Sequence, residues 1–115
     1  METIDRQQQV YEDWDGKMRE RMRALVTDEL IAEHARQPLG QHSDALERVL
    51  AYFRRQPTPG KYVVVATEPW REYQIGVLTG KRGKPARILT DEAFATEEEA
   101  MHGVFLRRIR DLRES

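Results

Sequence analysis

The stretch Gln56-Pro57-Thr58-Pro59-Gly60 forces this chain to change secondary structure midway. Proline has no backbone donor and pushes the residue before it out of the helical region, so a helix arriving here must stop. Upstream, Leu46, Val49, Leu50 and Phe53 recur at three- and four-residue spacing, the stripe of a helix that buries one face. Ser43 stands where its N-cap belongs. Downstream, Tyr62-Val63-Val64-Val65 is rich in β-branched residues and reads as a strand. A helix handed directly to a strand reads as a joint of a small α+β domain.

The flanks complete the order. Across residues 10–35, Val10, Trp14, Met18, Met22 and Leu25 fall on one helical face. Gly16 interrupts the pattern and Thr27-Asp28 can cap a second piece, so one long helix or two collinear helices are expected, ended by Pro38 and Gly40. Glu68-Pro69 breaks the first strand. Residues 70–78 read as a second strand, with Tyr73, Ile75 and Val77 on one face. Gly80-Lys81-Arg82-Gly83-Lys84-Pro85 is a basic hairpin tip, and residues 87–90 are a short third strand. Thr96 with Glu99 three residues later has capping-box spacing, and Glu97 and Glu98 suit the positive end of a helix dipole. Met101, Val104, Phe105, Ile109 and Leu112 form the stripe of that last helix.

The expected fold is therefore α-α-β-β-β-α. An amphipathic helical segment over residues 1–36 leads into a small α+β domain over 37–115. A three-stranded antiparallel sheet is covered on one face by helices. The valine run is apolar on both faces, whereas a sheet with one wet face usually alternates. Either the long N-terminal helix or a partner must cover the second face.

Composition narrows the function classes. The 115 residues fit one domain with a modest core, and a net charge of −1 creates no global field for nucleic acid or an anionic membrane. Cysteine is absent, which excludes thiolate nucleophiles, disulfides and Cys-based zinc sites and favours the cytoplasm. The first ten residues are polar, without the apolar core of a secretory signal, and no apolar run has membrane-spanning length.

No catalytic, cofactor-binding or metal-binding residue emerges. His34, His42 and His102 are the only histidines; no pair has i, i+4 spacing, and they read as surface or interface residues. Glu97, Glu98 and Glu99 are accounted for as helix N-terminal charges. Ser43 beside His42 is adjacency in sequence only, which does not build a triad. Trp14, Trp70 and Tyr73 read as core or interface aromatics. The element order with a basic hairpin tip also matches a double-stranded-RNA-binding module, the alternative reading. Three glutamates at the start of the last helix and the slightly negative charge count against it.

Two long segments carry a resemblance. Phe53-Arg54-Arg55-Gln56-Pro57-Thr58-Pro59-Gly60-Lys61-Tyr62 is followed by Trp70. Then come Phe94-Ala95-Thr96-Glu97-Glu98-Glu99-Ala100-Met101-His102 and Val104-Phe105-Leu106-Arg107-Arg108-Ile109. Together, in this order and spacing, they resemble the small (α) subunit of N,N-dimethylformamidase, from about residue 33 to residue 113. Gln37-Pro38-Leu39-Gly40 replaces a similar Asn-Pro-Phe-Gly, in a segment shorter than the family's. The resemblance implies a non-catalytic subunit of an enzyme that hydrolyses N,N-dimethylformamide to dimethylamine and formate. It also implies a large catalytic partner subunit whose tyrosine and glutamate side chains hold a mononuclear iron, with no cofactor in this chain. The expected partner surface is Trp14, Met18 and Met22 on the N-terminal helix with Tyr62 and Val64 on the sheet, and Arg107 and Arg108 as its polar rim.

Overall fold

The computed structural model describes residues 2–115. Four helices and three strands follow one another: α1 (Glu2–Leu25), α2 (Asp28–Arg36), α3 (Asp44–Arg54), β1 (Tyr62–Glu68), β2 (Glu72–Val77), β3 (Arg87–Phe94) and α4 (Glu97–Glu114). The expected α+β fold with an antiparallel sheet is what the chain adopts, in strand order β1-β2-β3.

Each helix after the first starts where a side-chain oxygen meets an orphaned backbone N–H. Thr27 Oγ1 accepts from Leu30 N at 3.1 Å, Ser43 Oγ from Leu46 N at 3.3 Å, and Thr96 Oγ1 from Glu99 N at 3.1 Å. Such caps contribute about 1 kcal/mol each. The N-terminal helical segment therefore splits at Thr27, while Gly16 lies inside α1 without breaking it. Ser43 is itself fixed by Glu33, whose two carboxylate oxygens accept from Ser43 N and Ser43 Oγ, each at 2.7 Å. Those bonds hold the Glu33 carboxyl below the usual carboxylate range. One contact thereby ties α2 to the start of α3.

The main core lies among the helices. Met22, Val26 and Leu30 meet Leu46, Val49, Tyr52 and Phe53 of α3 and Phe105, Ile109 and Leu112 of α4. Full burial of such a side chain contributes about 1.5–3 kcal/mol. The sheet packs on α4, which lies against all three strands. Antiparallel pairing aligns Val64 with Ile75 and Ile75 with Leu89, and on the opposite face Val63 with Gly76 and Gly76 with Ile88. Tyr62 Oη reaches Asp111 of α4 at 2.5 Å, and Val64 shares a cavity wall with Val104 and Phe105. Tyr62 and Val64 consequently face α4.

The second face of the sheet is not capped by α1, which packs chiefly on α3 and α4. Val63 and Val65 instead close over Gly76. A Cβ there would sit 3.1 Å from Val65 Cγ2 and 3.0 Å from Ala86 Cβ. Glycine at 76 is thus what lets both valines lie half-buried against their own sheet.

Two strand limits differ from expectation. β3 runs on to Phe94, past the expected end at residue 90, and β2 begins at Glu72 instead of Trp70. Trp70 lies in the turn between β1 and β2. Arg71 N donates to Glu68 O at 2.9 Å, which places Pro69 second and Trp70 third in a four-residue turn. Trp70 has φ 68°. Proline at the second position and positive φ at the third are the signature of a type II turn, which normally takes glycine or asparagine third. A bulky residue in this left-handed region costs about 1–2 kcal/mol.

Candidate partner interface

The stripe on α1 runs from solvent into the core. Val10, Trp14, Met18 and Met22 are spaced four apart on one helical face. Val10 is 63% exposed and Trp14 52%; Met18 is half-buried against the core; Met22 is 6% exposed and belongs to the core. Tyr11 lies beside Trp14, ring centroids 6.4 Å apart, and is also exposed. The C-terminal end of α1 is thus used for folding, whereas Val10, Tyr11 and Trp14 nearer its middle stand largely open to solvent.

The seven expected interface residues accordingly separate. Trp14 and the edge of Met18 stand at the surface. Met22 does not, because α3 and α4 cover it. Tyr62 and Val64 face α4 rather than the open side of the sheet, so the residues on the outward face are their neighbours Val63 and Val65. Tyr62 donates to the Asp111 carboxylate, and burial together with that carboxylate pushes its phenol up from the ordinary value.

The two arginines are engaged within the chain. Arg107 is only 12% exposed and donates from one guanidinium nitrogen to Asp91 Oδ2 and Glu92 Oε1, each at 2.8 Å. Asp91 is held below its usual range by this hydrogen bond, and Arg107 is raised by it. Arg108 donates to the Tyr62 carbonyl at 3.1 Å and sits 5.9 Å over the Phe53 ring, with burial lowering its pKa. Both side chains fasten α4 to the sheet.

The histidines are the largest departure from expectation. His34 is not a surface residue; it is 3% exposed and stacks on Phe105 with ring centroids 4.0 Å apart. Its Nδ1 lies 2.9 Å from Nδ1 of His102, and the His42 ring stacks 6.2 Å away. His42 is spoken for on both nitrogens: Nε2 faces the Gln37 carbonyl at 2.6 Å and Nδ1 faces Glu47 Oε1 at 3.2 Å. Their separation in sequence, 68 residues between His34 and His102, gave no sign of this. Burial drives His34 down to about 4 and also lowers His102. The pair shares a single hydrogen bond in which one Nδ1 donates and the other accepts.

Among the described residues, no three His, Asp or Glu side chains converge where a metal ion could be held. A groove of about 390 Å³ between α1, α3 and α4 is lined by Tyr52, Tyr62, Asp15 and Arg108. Both phenols there are pushed up by burial, so at neutral pH they are hydrogen-bond donors and not bases. What the structure does leave at its surface is large apolar side chains: Val10, Tyr11, Trp14, Leu39, Leu106 and, above all, Trp70. Sequence reading missed Trp70 as a surface residue; Pro69 before it was the signal for a turn.

The family model described as N,N-dimethylformamidase alpha subunit matches residues 9–115. The chain belongs to the N,N-dimethylformamidase alpha-subunit family. The N,N-dimethylformamidase alpha subunit of Paracoccus aminophilus is 45% identical over 114 residues, covering 95% of this chain and 79% of that protein. The protein of the same description from an Alcaligenes species is 44% identical over 110 residues, covering 88% and 82%.

Proposed function

We propose that this chain is the non-catalytic small subunit of an iron-dependent, N,N-dimethylformamidase-like amide hydrolase, and that it stabilises a large catalytic subunit. The observation that carries the reading is the α1 stripe, which is core at Met22 and open to solvent at Trp14 and Val10. Membership of an alpha-subunit family supplies the kind of partner. The reaction is hydrolysis of N,N-dimethylformamide: water adds its oxygen to the formyl carbon, the C–N bond breaks, and dimethylamine and formate leave. Iron held by the large subunit would supply Lewis acidity toward the amide oxygen and the water. The residues described here do not fit such a metal, since their histidines are committed to one another, to Gln37 and to Glu47.

In this reading the present chain binds and orders its partner. Val10, Tyr11 and Trp14 dock, while Arg107, Arg108 and the His34–His102 pair keep the scaffold rigid. The complex is placed in the cytoplasm, a setting that suits a chain without cysteine; no helix of the described residues is long and apolar enough to cross a membrane.

Co-expression with a gene for a dimethylformamidase large subunit tests the reading. One complex should elute on size exclusion, and Trp14→Ala should weaken it while leaving the melting temperature of the isolated chain unchanged. Two folded chains that elute separately would contradict it.

A further inference from the structure

Trp70 is 90% exposed, the most exposed large apolar residue among the described residues. It occupies the third position of a turn that normally takes glycine or asparagine, at φ 68°. The fold thus holds a bulky residue in an unfavourable conformation and gains no packing from it. Strain of this kind persists where the surrounding structure over-determines it, and it concentrates at ligand clamps and other functional positions. Here the determinants are visible. Pro69 fixes the preceding φ, the Arg71-to-Glu68 backbone bond closes the turn, and Glu72 pairs back with Glu68 across the hairpin.

The surroundings of the indole suit an anchor. Glu68 and Arg71 flank it, with Arg71 Nη1 3.9 Å from Glu68 Oε1, and both are exposed. Thr67 Oγ1 reaches Glu72 Oε1 at 2.9 Å on the same tip. A central tryptophan ringed by polar side chains is the usual composition of an interface hot spot, in which the rim excludes water from the aromatic. Burying an indole removes about 150–250 Å² from water.

We infer that Trp70 is an anchor that inserts into an apolar pocket of the non-identical, large subunit, with the Glu68 and Arg71 side chains at the pocket's rim. This rests on the reading above, that the chain works bound to a large subunit. It adds a second contact, borne on the β1–β2 turn, to the α1 stripe. The occupant is taken to be the large subunit rather than a second copy because the relatives are alpha subunits, chains whose designation presupposes a different companion. The pocket needs an apolar floor and one acceptor for the indole N–H, which is a donor only.

The test is Trp70→Asn measured in two ways. Asparagine tolerates the left-handed region, so the melting temperature of the isolated chain should stay the same or rise by up to about 4 °C. Affinity for the purified large subunit should fall about thirtyfold, equivalent to about 2 kcal/mol, with Trp70→Phe recovering part of the loss. Wild-type binding with Trp70→Asn within twofold of it would overturn the anchor and leave the subunit reading intact. Absence of wild-type binding to the large subunit would overturn both. Self-association of the wild-type chain in sedimentation, abolished by Trp70→Asn, would make a second copy the occupant and overturn the assignment to the large subunit.

Discussion

Nδ1 of His34 and Nδ1 of His102 lie 2.9 Å apart, joining α2 to α4 through one hydrogen bond. Only one of the two nitrogens can donate, so the contact survives only while the pair carries no second proton at that position. Phe105 covers one face of His34, and His42 lies beyond it with Glu47 and the Gln37 carbonyl on its nitrogens.

This pair makes the fold acid-sensitive. The folded pKa of His34 is depressed to about 4 from an ordinary value of 6.5, chiefly by burial. Below 6.5 the unfolded chain takes up a proton that the folded chain refuses. Stability is therefore full above about pH 6.5 and is lost as pH falls toward 4, by on the order of 2 kcal/mol after allowing for solvent screening at the edge of the core. Urea midpoints between pH 7.5 and 4.5 should show this decline, and His34→Phe should flatten it. An equal decline in the variant would assign the effect to other groups.

Gly103 sits mid-helix, where alanine would ordinarily add about 1 kcal/mol. A Cβ at this position would come 2.5 Å from Phe94 Cζ and 3.0 Å from Cε1. Gly103→Ala should therefore destabilise the chain by about 1 kcal/mol. In a Phe94→Leu background, where the ring tip is gone, the same change should become neutral or stabilising. Denaturation of the four proteins of this cycle reads the sign reversal directly.

Arg107 clamps the β3 carboxylates of Asp91 and Glu92 to α4 from a nearly buried position. Arg107→Met should cost about 1 kcal/mol in dilute buffer and less at 1 M salt, because its partners are solvent-exposed and screened. Thermal melts at the two ionic strengths check it. A loss independent of salt would mean that packing of the stem, not charge, holds this corner.

Trp14→Ala in the isolated chain should change stability by no more than about 0.5 kcal/mol, since the side chain is half-exposed. Leu46→Ala, at a fully buried position of the helical core, should cost about 2–5 kcal/mol. Chemical denaturation of both variants compares a surface stripe with a core stripe. Equal losses would place Trp14 in the core and remove it from the partner surface.

Much of the fold was legible because its signals are local. Ser43, Thr96 and Thr27 announce helix starts through their own side chains, and Pro57 to Gly60 announces the helix-to-strand joint. The α4 stripe of Val104, Phe105, Ile109 and Leu112 is buried as its spacing implies. The placement of the candidate interface residues was less legible. On β1, valines occupy both faces, so the sequence carries no parity signal to tell the face that meets α4, with Tyr62 and Val64, from the opposite face, with Val63 and Val65. On α1 the stripe is continuous, and only packing against α3 and α4 reveals that it turns from surface to core between Trp14 and Met22. The meeting of His34 with His102 depends on how α2 crosses α4, a relation that no local pattern encodes. Trp70 reads as strand because aromatic residues favour strands, whereas Pro69 before it makes the turn that the chain adopts.

Titration of the purified large subunit with this chain tests the central claim most directly. Hydrolysis of N,N-dimethylformamide and the thermal half-life of the large subunit should both rise and saturate at a fixed ratio of the two chains, with this chain inert by itself. Turnover of dimethylformamide by this chain alone, or a large subunit whose activity and lifetime ignore its addition, would contradict the account.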